Sequence, residues 1–249
     1  MQIIGRSVGA ALTVGNTCVL KPAEDACLSA LMFAELAQQA GLPPGVLNVV
    51  PGRGEVAGAA LASHKDIQHI SFTGSVGVGE LIQAQAAQNV IPVTLELGGK
   101  SPQLVFDDAD LAEALPFLVN AGIQNAGQTC SASSRILVQR GVYDKLLTMM
   151  AEKYRALQIG PALEDHDVGP LISAAQKKRV EHFLSQNTGL ELVASGSILE
   201  SAPDDGYYVA PHLYSCDNPD HLLAQQEIFG PVQLVICLLY TSPSPRDRG

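Results

Sequence analysis

One cysteine of this sequence lies in a loop that suits it for nucleophilic chemistry. Residues 125–130 read Asn-Ala-Gly-Gln-Thr-Cys, so the sulfur of Cys130 follows small and polar residues. Cysteine reacts as the thiolate, which needs access and local stabilisation of negative charge. Gly127 permits unusual backbone angles, while Gln128 and Thr129 supply dipoles. The alternative is an inert buried thiol, since free cysteines are among the most buried residues.

A carboxylate near the end of the strand predicted at 90–97 is the second candidate for chemistry. Glu96 lies near the end of the apolar segment 90–97, beside Gly98 and Gly99. Two glycines form a natural hinge, so we place a domain boundary there and expect Glu96 to enter an interdomain cleft. Partial burial in a cleft would suit this carboxylate to general-base catalysis. A surface salt bridge is the alternative.

Other candidates lie where strands are expected to end. Lys21 and Glu24 supply a cation and a carboxylate that can hydrogen-bond ribose hydroxyls. The glycine-rich segment 74–79 is predicted to be a turn between a strand and a helix, where backbone N–H groups can approach a phosphate or ribose. Its spacing is not the GxGxxG dinucleotide fingerprint, and a purely structural turn is equally compatible with it. A late motif, Glu-Ile-Phe-Gly-Pro at 227–231, precedes a final apolar strand.

Residues 1–98 alternate between strand-like and helix-like segments. Apolar, β-branched runs predict strands at 12–21, 46–50, 67–73 and 90–97, and helical periodicity predicts helices between them. The alternation implies parallel βαβ units and a doubly wound sheet, that is, a partial Rossmann-like domain. Such a sheet brings the strand ends, with Lys21, residues 52–54, residues 74–75 and Glu96, to the edge where ligands bind.

A second α/β domain is expected at 99–237. Strands are predicted at 102–106, 135–139, 190–194, 207–213 and 232–237. Asp110 should cap a helix that Pro116 kinks or breaks. A long helix carries a core face of Tyr143, Leu146, Leu147, Met150, Tyr154 and Leu157. A further helix opens at Ser173, with Val180, Phe183 and Leu184 inward and Lys177, Lys178 and Arg179 solvated. Residues 238–249 are rich in Pro, Ser and charge, and are predicted to be disordered.

Composition excludes several classes of partner. The chain of 249 residues has a net charge of -10, and its 15 Lys and Arg residues form no block, so no nucleic-acid partner is expected. No apolar run approaches the roughly 20 residues that span a bilayer, and no signal peptide is evident, so a cytoplasmic protein without membrane contact is predicted. The 5 cysteines are widely spaced without a CxxC pair, which argues against disulfides and a metal site.

Six segments together resemble the NAD(P)-dependent aldehyde dehydrogenase family. In order along the chain they are GNTCVLKPAE (15–24), GLPPGVLNVVPGRG (41–54), ISFTGSVGVG (70–79), TLELGGKSP (94–102), NAGQTCSASSR (125–135) and EIFGPV (227–232). The resemblance covers residues 1 to about 236. The combination of ELGGK with a later cysteine in GQxC is specific, whereas FTGS alone is not.

The resemblance implies roles for particular residues. Cys130 matches the nucleophile that attacks the aldehyde carbonyl, giving a thiohemiacetal that passes hydride to the nicotinamide and becomes a thioester. Glu96 matches the general base that activates the hydrolytic water. The residues implied to contact the cofactor are Lys21, Glu24, Gly54, Gly58, Gly74, Ser75, Val78, Leu97, Glu227 and Phe229. Glu24 would repel a 2′-phosphate, which favours NAD over NADP, although Lys21 could offset that repulsion.

Two departures from the family qualify this resemblance. The oxyanion asparagine of the family is expected a few residues before Met1, and its loss would cost about 10²- to 10³-fold in turnover. The ending LLYTSPSPRDRG does not resemble the family continuation, which supplies an oligomerisation strand. The sequence therefore predicts an internal fragment of a homo-oligomeric enzyme that acts on a small-molecule aldehyde.

Three alternatives stay open at this point. A related enzyme would transfer the thioester to coenzyme A, although a base at Glu96 favours water. The chain could instead bind nucleotide without turnover. A cysteine hydrolase would pair Cys130 with a histidine, but His64 and His69 lie in no recognisable partner motif and are expected to be structural.

Overall fold

The computed structural model describes residues 2–238 and divides the chain into two compact units, Met1–Gly98 and Gly99–Gly249. Each unit combines helices with mainly parallel strands. Among the described residues, every helix is too short or too polar to cross a membrane. The disorder predicted for the tail concerns residues that lie, from 239 onward, outside the described part.

The first unit contains four short strands with helical segments around them. The strands are β1 (Cys18–Leu20), β2 (Leu47–Val49), β3 (Ile70–Gly74) and β4 (Val93–Leu97). The helices are α1 (Gln2–Ile4), α2 (Ala10–Thr13), α3 (Leu28–Gln39), α4 (Ala59–Ala62) and α5 (Val76–Ala87), with π-helical turns at Gly5–Gly9 and Gly54–Gly58 and a 3₁₀ turn at Glu24–Ala26. Each pair of successive strands is therefore joined through a helix.

The strands pair in parallel, as predicted, but not as one ladder of four. β1 pairs with β2, and β3 pairs with β4, so residues 2–98 form two separate two-stranded sheets. The sequence pattern predicts where strands lie, but it does not predict which strands pair with each other through hydrogen bonds.

Two local predictions in this unit were wrong. The strand predicted at 12–21 begins only at Cys18, because the helical segment from Gln2 continues to Thr13 and ends in a turn at Gly15, which has a φ of +84°. The glycine-rich segment 74–79 is not a turn throughout, because α5 already begins at Val76. A Cβ atom on Gly79 would meet the Leu97 side chain at 2.7 Å, so a larger residue there would have to displace that side chain.

The second unit is built on a five-stranded sheet in the order β5-β6-β11-β10-β8. Its strands are β5 (Pro102–Val105), β6 (Arg135–Gln139), β7 (Gln158–Ile159), β8 (Glu191–Ser195), β9 (Ser197–Ile198), β10 (His212–Ser215) and β11 (Val232–Leu238). Among the described strands of this sheet, β8 alone is antiparallel to its neighbour, and β7 pairs with β9 in a separate small sheet. Leu238, which was assigned to the tail from sequence, is the last residue of β11.

Within residues 99–238, which the structure describes, the second unit has four α-helices. They are α6 (Leu111–Ile123), α7 (Arg140–Ala156), α8 (Ala174–Ser185) and α9 (Leu222–Gln225). Asp110 caps α6 as predicted, and its side chain accepts hydrogen bonds from the N–H groups of Ala112 and Glu113. The break expected at Pro116 is absent from this part of the structure, since α6 runs through it. Ser173 likewise caps α8.

The apolar core of the described residues lies in the second unit. The predicted inner face of α7 is buried there, with Leu146, Met150 and Tyr154 fully enclosed. In the first unit the buried apolar side chains are Val8, Ala30, Ala62, Ala86 and Ile91. The helical apolar positions of α3 are mostly exposed, with Leu28 79% accessible.

Candidate active site

The cysteine loop, residues 125–130, follows α6 directly and has an unusual backbone. Asn125, Ala126 and Gly127 have φ values of +52°, +54° and +72°. L-residues rarely adopt this left-handed region, and each non-glycine residue there costs about 1–3 kcal/mol. Strain of this size persists only when surrounding contacts hold the loop in place.

Reciprocal hydrogen bonds within the loop supply those contacts. The side-chain amide of Asn125 donates to the Gln128 carbonyl, and that of Gln128 donates to the Asn125 carbonyl, both at 3.0 Å. Gln128 is 9% exposed, and its Oε1 accepts from the Ile172 N–H at 3.0 Å. The polar residues around the cysteine therefore stabilise the loop as well as supplying dipoles.

Buried Gln233 anchors the segment after the cysteine to the core. Its Nε2 donates to the Leu118 carbonyl at 3.0 Å and to the Ser133 carbonyl at 2.7 Å, and its Oε1 accepts from the Tyr154 hydroxyl at 2.5 Å. A buried Gln side chain can make four hydrogen bonds, and these contacts provide three of them. The sheet thereby fixes the chain shortly after Cys130.

Cys130 itself is exposed in the structure. The alternative of an inert buried thiol is thus wrong for this cysteine, whereas Cys216 is buried and hydrogen-bonded to the Asn218 carbonyl at 3.0 Å. Burial raises the pKa of the Cys216 thiol, which makes it a poor nucleophile. Cys130 is therefore the better candidate for covalent chemistry.

The 227–231 loop lies against the cysteine loop. A Cβ atom on Gly127 would overlap the backbone of Gly230, so the main chains of the two loops approach closely at this point. Phe229 also has a left-handed backbone, with a φ of +58°. The Oε1 atom of Glu227 accepts a hydrogen bond from the Gly99 N–H at 3.3 Å.

Lys100 is an unusual charged group beside the 227–231 loop, and its role was not predicted from sequence. Its ammonium nitrogen is buried and has no hydrogen-bond partner among the described residues. Burial is the main cause that lowers the pKa of Lys100 to about 7; nearby Arg135 adds to the effect and Glu227 opposes it. Arg135 also donates to the Lys100 carbonyl, from Nε at 2.9 Å and from Nη2 at 2.6 Å. Lys100 belongs to the ELGGK motif, which was the available signal.

A cavity of about 590 Å³ adjoins both loops within the second unit. Among the residues that line it are Asn125, Gln128, Leu171, Tyr207, Tyr208 and Phe229. This size falls in the range of small-molecule sites, and the mixture of aromatic and amide groups is typical of such sites. Neither Tyr207 nor Tyr208 was predicted from sequence to contribute to a site.

In the first unit, Lys21 and Glu24 come together with Gly54. Lys21 Nζ lies 3.3 Å from Glu24 Oε2, and the Gly54 N–H donates to Glu24 Oε1 at 2.6 Å. Hydrogen bonds from the backbone N–H groups of Glu24 and Gly54, and then Lys21, hold the pKa of the Glu24 carboxyl below its ordinary value. Gly58 lies next to the Lys21 side chain, since an ideal Cβ atom built on Gly58 would be 3.6 Å from Lys21 Cδ.

The register of β3 and β4 brings another group of predicted residues together. Gly74 pairs with Leu97, and Thr73 pairs with Glu96. Ser75 is extended directly before α5, and Val78 is 44% exposed in its first turn. These residues lie at one end of the β3–β4 sheet, whereas the ends of β1 and β2, which were predicted to share that edge, belong to the separate β1–β2 sheet.

Glu96 does not have the partial burial expected from sequence. Burial alternates along β4, and Glu96 occupies an exposed position. Successive side chains of a strand point to opposite faces, so a single strand places this carboxylate opposite the half-buried Leu95 and Leu97. Within its own unit Glu96 is thus a solvated carboxylate.

The histidines considered for a cysteine hydrolase have other contacts. His69 Nε2 lies 3.0 Å from Thr94 Oγ1, and the His64 ring accepts a hydrogen bond from the Asp66 N–H at 3.2 Å. Both histidines belong to the first unit. Their local contacts support the structural role assigned to them.

These features define a class of protein: an α/β protein with an exposed cysteine on a loop and a carboxylate at the edge of a sheet. The family model for the aldehyde dehydrogenase family matches residues 1–240, and the chain belongs to that family. The match extends past the predicted start of the tail at 238.

Relatives of known name agree with this assignment. The hydroxyisobutyraldehyde dehydrogenase of Mycolicibacterium austroafricanum is 42% identical over 95% of this chain and 47% of its own length. The lactaldehyde dehydrogenase of Escherichia coli is 40% identical over 94% of this chain and 49% of its own length. The chain thus spans about half the length of the curated relatives it matches.

Solved structures show the same fold. A crystal structure from Burkholderia cenocepacia is 56% identical, with a TM-score of 0.94 over 96% of this chain and 51% of that one. The NAD+ complex of an aldehyde dehydrogenase from Bacillus cereus is 39% identical, with a TM-score of 0.90 over 96% of this chain and 49% of that one. The α/β fold is therefore that of aldehyde dehydrogenases.

Proposed function

We propose that the protein to which this chain belongs oxidises an aldehyde to a carboxylate with NAD+ or NADP+. The observation that carries the proposal is the exposed Cys130 at the end of a strained loop, which hydrogen bonds and Gly127 hold in one conformation. Preorganised nucleophiles avoid the cost of orienting the reacting atom in each turnover. The substrate is a small-molecule aldehyde, and the cytoplasmic homo-oligomer inferred from sequence stays a prediction.

In the proposed reaction, Cys130 provides covalent catalysis. Its thiolate attacks the aldehyde carbon, a C–S bond forms, and the carbonyl oxygen becomes the alkoxide of a thiohemiacetal. A cofactor held by the residues named below would supply the acceptor for the hydride of that carbon, and loss of the hydride would leave a thioester on the Cys130 sulfur. Glu96 then accepts a proton from water as the water oxygen attacks the thioester. The C–S bond breaks, which releases the carboxylic acid and the Cys130 thiolate, and the acid then ionises to the carboxylate by losing its proton to solvent water.

The residues that would hold the cofactor fit its chemistry. The half-exposed Glu24 carboxylate, oriented by Lys21 and the Gly54 N–H, is an acceptor for ribose hydroxyls, and Gly58 lies beside the Lys21 side chain. Its negative charge favours NAD over NADP. Gly74, Ser75, Val78 and Leu97 are proposed to contact the cofactor from the end of the β3–β4 sheet.

The second unit would contribute the nicotinamide side of the cofactor site. We assign Glu227 to the nicotinamide ribose and Phe229 to the ring. The Gly99 N–H orients the Glu227 carboxylate, and Phe229 lines the cavity beside the cysteine loop. Under the same proposal, residues 1–98 act as the dinucleotide-binding domain and residues 99–237 as the catalytic domain.

The test follows NADH absorbance while the protein is incubated with aldehyde and NAD+, with Cys130→Ser as the matched control. Turnover should depend on Cys130, and replacing Glu96 with Gln should leave thioester formation but slow its hydrolysis. Product analysis with and without coenzyme A separates water from coenzyme A as acceptor. Formation of acyl-CoA alone would contradict the hydrolytic proposal.

A second candidate is nucleotide binding without turnover by the 249-residue chain itself. The exposed apolar side chains of the first unit favour it, since a cofactor domain with so small a core is poorly set to orient a ligand. Calorimetric titration with NAD+ would then show binding while no NADH forms. Clear turnover that is lost in Cys130→Ser would refute this candidate.

A further inference from the structure

Three successive carbonyls of the 227–231 loop accept hydrogen bonds from one helix. Gln176 Nε2 donates to the Phe229 carbonyl at 2.7 Å and more weakly to that of Ile228 at 3.4 Å. Arg179 Nη2 donates to the Glu227 carbonyl at 2.8 Å. Both donors lie in the first two turns of α8, which Ser173 caps.

Gln176 occupies the position at the start of α8 where a glutamine side chain normally caps the helix. The run from Ser173 to Gln176 has the Ser-x-x-Gln spacing of a capping box, in which the Gln side chain returns to the backbone N–H of the cap residue. Ser173 makes its half of the motif, with Oγ accepting from the Gln176 N–H at 3.3 Å. The Gln176 side-chain amide instead donates to the loop carbonyls, so its role extends beyond its own helix.

Arg179 is also held in a defined position. Its guanidinium lies 5.2 Å from the centre of the Phe183 ring, one turn further along α8. Stacking on an aromatic ring restricts the side chain and directs its remaining donors. A group expected to be solvated is therefore oriented towards the Glu227 carbonyl.

The loop is enclosed from both sides. A Cβ atom on Gly230 would collide with the Val180 side chain of α8, and one on Gly127 would overlap Gly230 from the side of the cysteine loop. Between these contacts, Phe229 keeps its left-handed backbone, with a φ of +58°. That conformation costs about 1–3 kcal/mol and needs external support.

We propose that Gln176 and Arg179 are positioning residues, which hold the carbonyls of 227–229 and thereby fix the Glu227 carboxylate and the Phe229 ring. This inference rests on the proposed function only for its kinetic consequence. Loss of either donor frees the loop, and the cofactor ring then loses its alignment with the thiohemiacetal carbon. Because about 1 Å of misplacement costs roughly 10²-fold, the turnover number should fall by about 10- to 10²-fold.

The structural part of the inference is tested without any activity. The full chain is labelled with 4-fluorophenylalanine, and its 6 phenylalanines give separate ¹⁹F signals, of which the Phe229 signal is assigned with Phe229→Leu. In Gln176→Glu, which keeps the side-chain shape but replaces the donor, the Phe229 signal should shift or broaden. Arg179→Met should act similarly, and Arg179→Lys, which keeps a donor, should restore much of the wild-type signal.

Lys178→Met is the matched control, because Lys178 is an exposed residue of the same helix. An unchanged Phe229 signal in Gln176→Glu and Arg179→Met would overturn the inference. General change of all the ¹⁹F signals together with a lower melting temperature in Gln176→Glu, Gln176→Met and Arg179→Met would also overturn it, since the two residues would then only support the fold.

The kinetic part uses aldehyde deuterated at the carbonyl carbon. If hydride transfer is misaligned in Gln176→Glu, the turnover number falls, the KM for aldehyde changes little, and the isotope effect on turnover rises. If the wild-type protein forms no NADH, the proposed function fails for this chain while the ¹⁹F result still decides the positioning role. An altered Phe229 signal with unaltered kinetics and isotope effect would refute the link to catalysis.

Discussion

At the scale of single residues, Gly127 determines how closely the two loops of the site approach. It has a φ of +72°, and any Cβ atom would overlap the Gly230 backbone. A larger residue must therefore move one loop, and either movement displaces Cys130 or Phe229. Glycine is needed here for two reasons at once, the backbone angle and the contact.

Replacing Gly127 with Ala should lower both stability and activity. Left-handed strain and the overlap together should cost about 2–4 kcal/mol in the free energy of unfolding. Urea denaturation measures this loss, and alkylation of Cys130 by iodoacetamide reports any movement of the loop. Gly169→Ala is the control, because its Cβ position is open and its φ is not left-handed. Equal stability of the two variants would contradict the close contact.

Lys100 predicts a specific dependence of stability on pH. Its pKa is lowered from 10.5 to about 7 in the folded protein, so between these values the unfolded chain binds more protons. The free energy of unfolding should therefore rise with pH across this window, at most by about 1.4 kcal/mol per pH unit. The destabilisation caused by burying the Lys100 ammonium is fully present below pH 7 and is absent above pH 10.5.

The variant Lys100→Met should remove this slope and be more stable than wild type near pH 7. Chemical denaturation at several pH values between 7 and 10 measures the difference between the two proteins, which cancels the other titrating groups. Lys145→Met, at an exposed position of α7, should keep the wild-type slope. Parallel curves for Lys100→Met and wild type would show that the ammonium is not buried.

At the scale of elements, the sequence predicted what depends on neighbouring residues. The bounds of β6, the core face of α7 and the caps Asp110 and Ser173 agree with the structure, because periodicity and capping are local. The roles of Gln176 and Arg179 were not predicted. Their partners lie about fifty residues away, and a charged run gives no signal that distinguishes water from a carbonyl as partner.

The Asp110 cap gives a direct test at this scale. Asp110→Ala removes the acceptor for the N–H groups of Ala112 and Glu113, and should cost about 1 kcal/mol of stability, within a range of about 0.5–2. Urea denaturation followed by circular dichroism measures the loss. Asp108→Ala, at an exposed position before the helix, should cost much less. Similar losses in both variants would indicate a general charge effect instead of capping.

At the scale of the whole molecule, the candidate site was predicted as a set of residues but not as a geometry. Motifs identified Cys130, Glu96 and the cofactor residues, whereas the exposure of Glu96 and the separate β1–β2 and β3–β4 sheets depend on pairing that no local pattern encodes. The distribution of the core was also not foreseen. Burial is concentrated in residues 99–238, while large apolar side chains of residues 2–98, such as Leu81 at 63%, are exposed.

This unequal burial predicts that residues 2–98 of the 249-residue chain open before residues 99–238. Apolar burial is the main favourable term in folding, so a segment with few buried side chains opens at lower free energy. Hydrogen exchange with mass spectrometry should show faster exchange in β1–β4 than in β6, β10 and β11 at low urea concentration.

Two variants serve as controls for this measurement. Leu146→Ala, at a fully buried position, should lower the stability of the second unit by about 2–5 kcal/mol and thereby make its amide exchange faster. Leu81→Ala, at its exposed position, should leave that region unchanged. Uniform exchange across both units would show that they unfold as one cooperative body, and that the apolar surface of residues 2–98 does not limit stability.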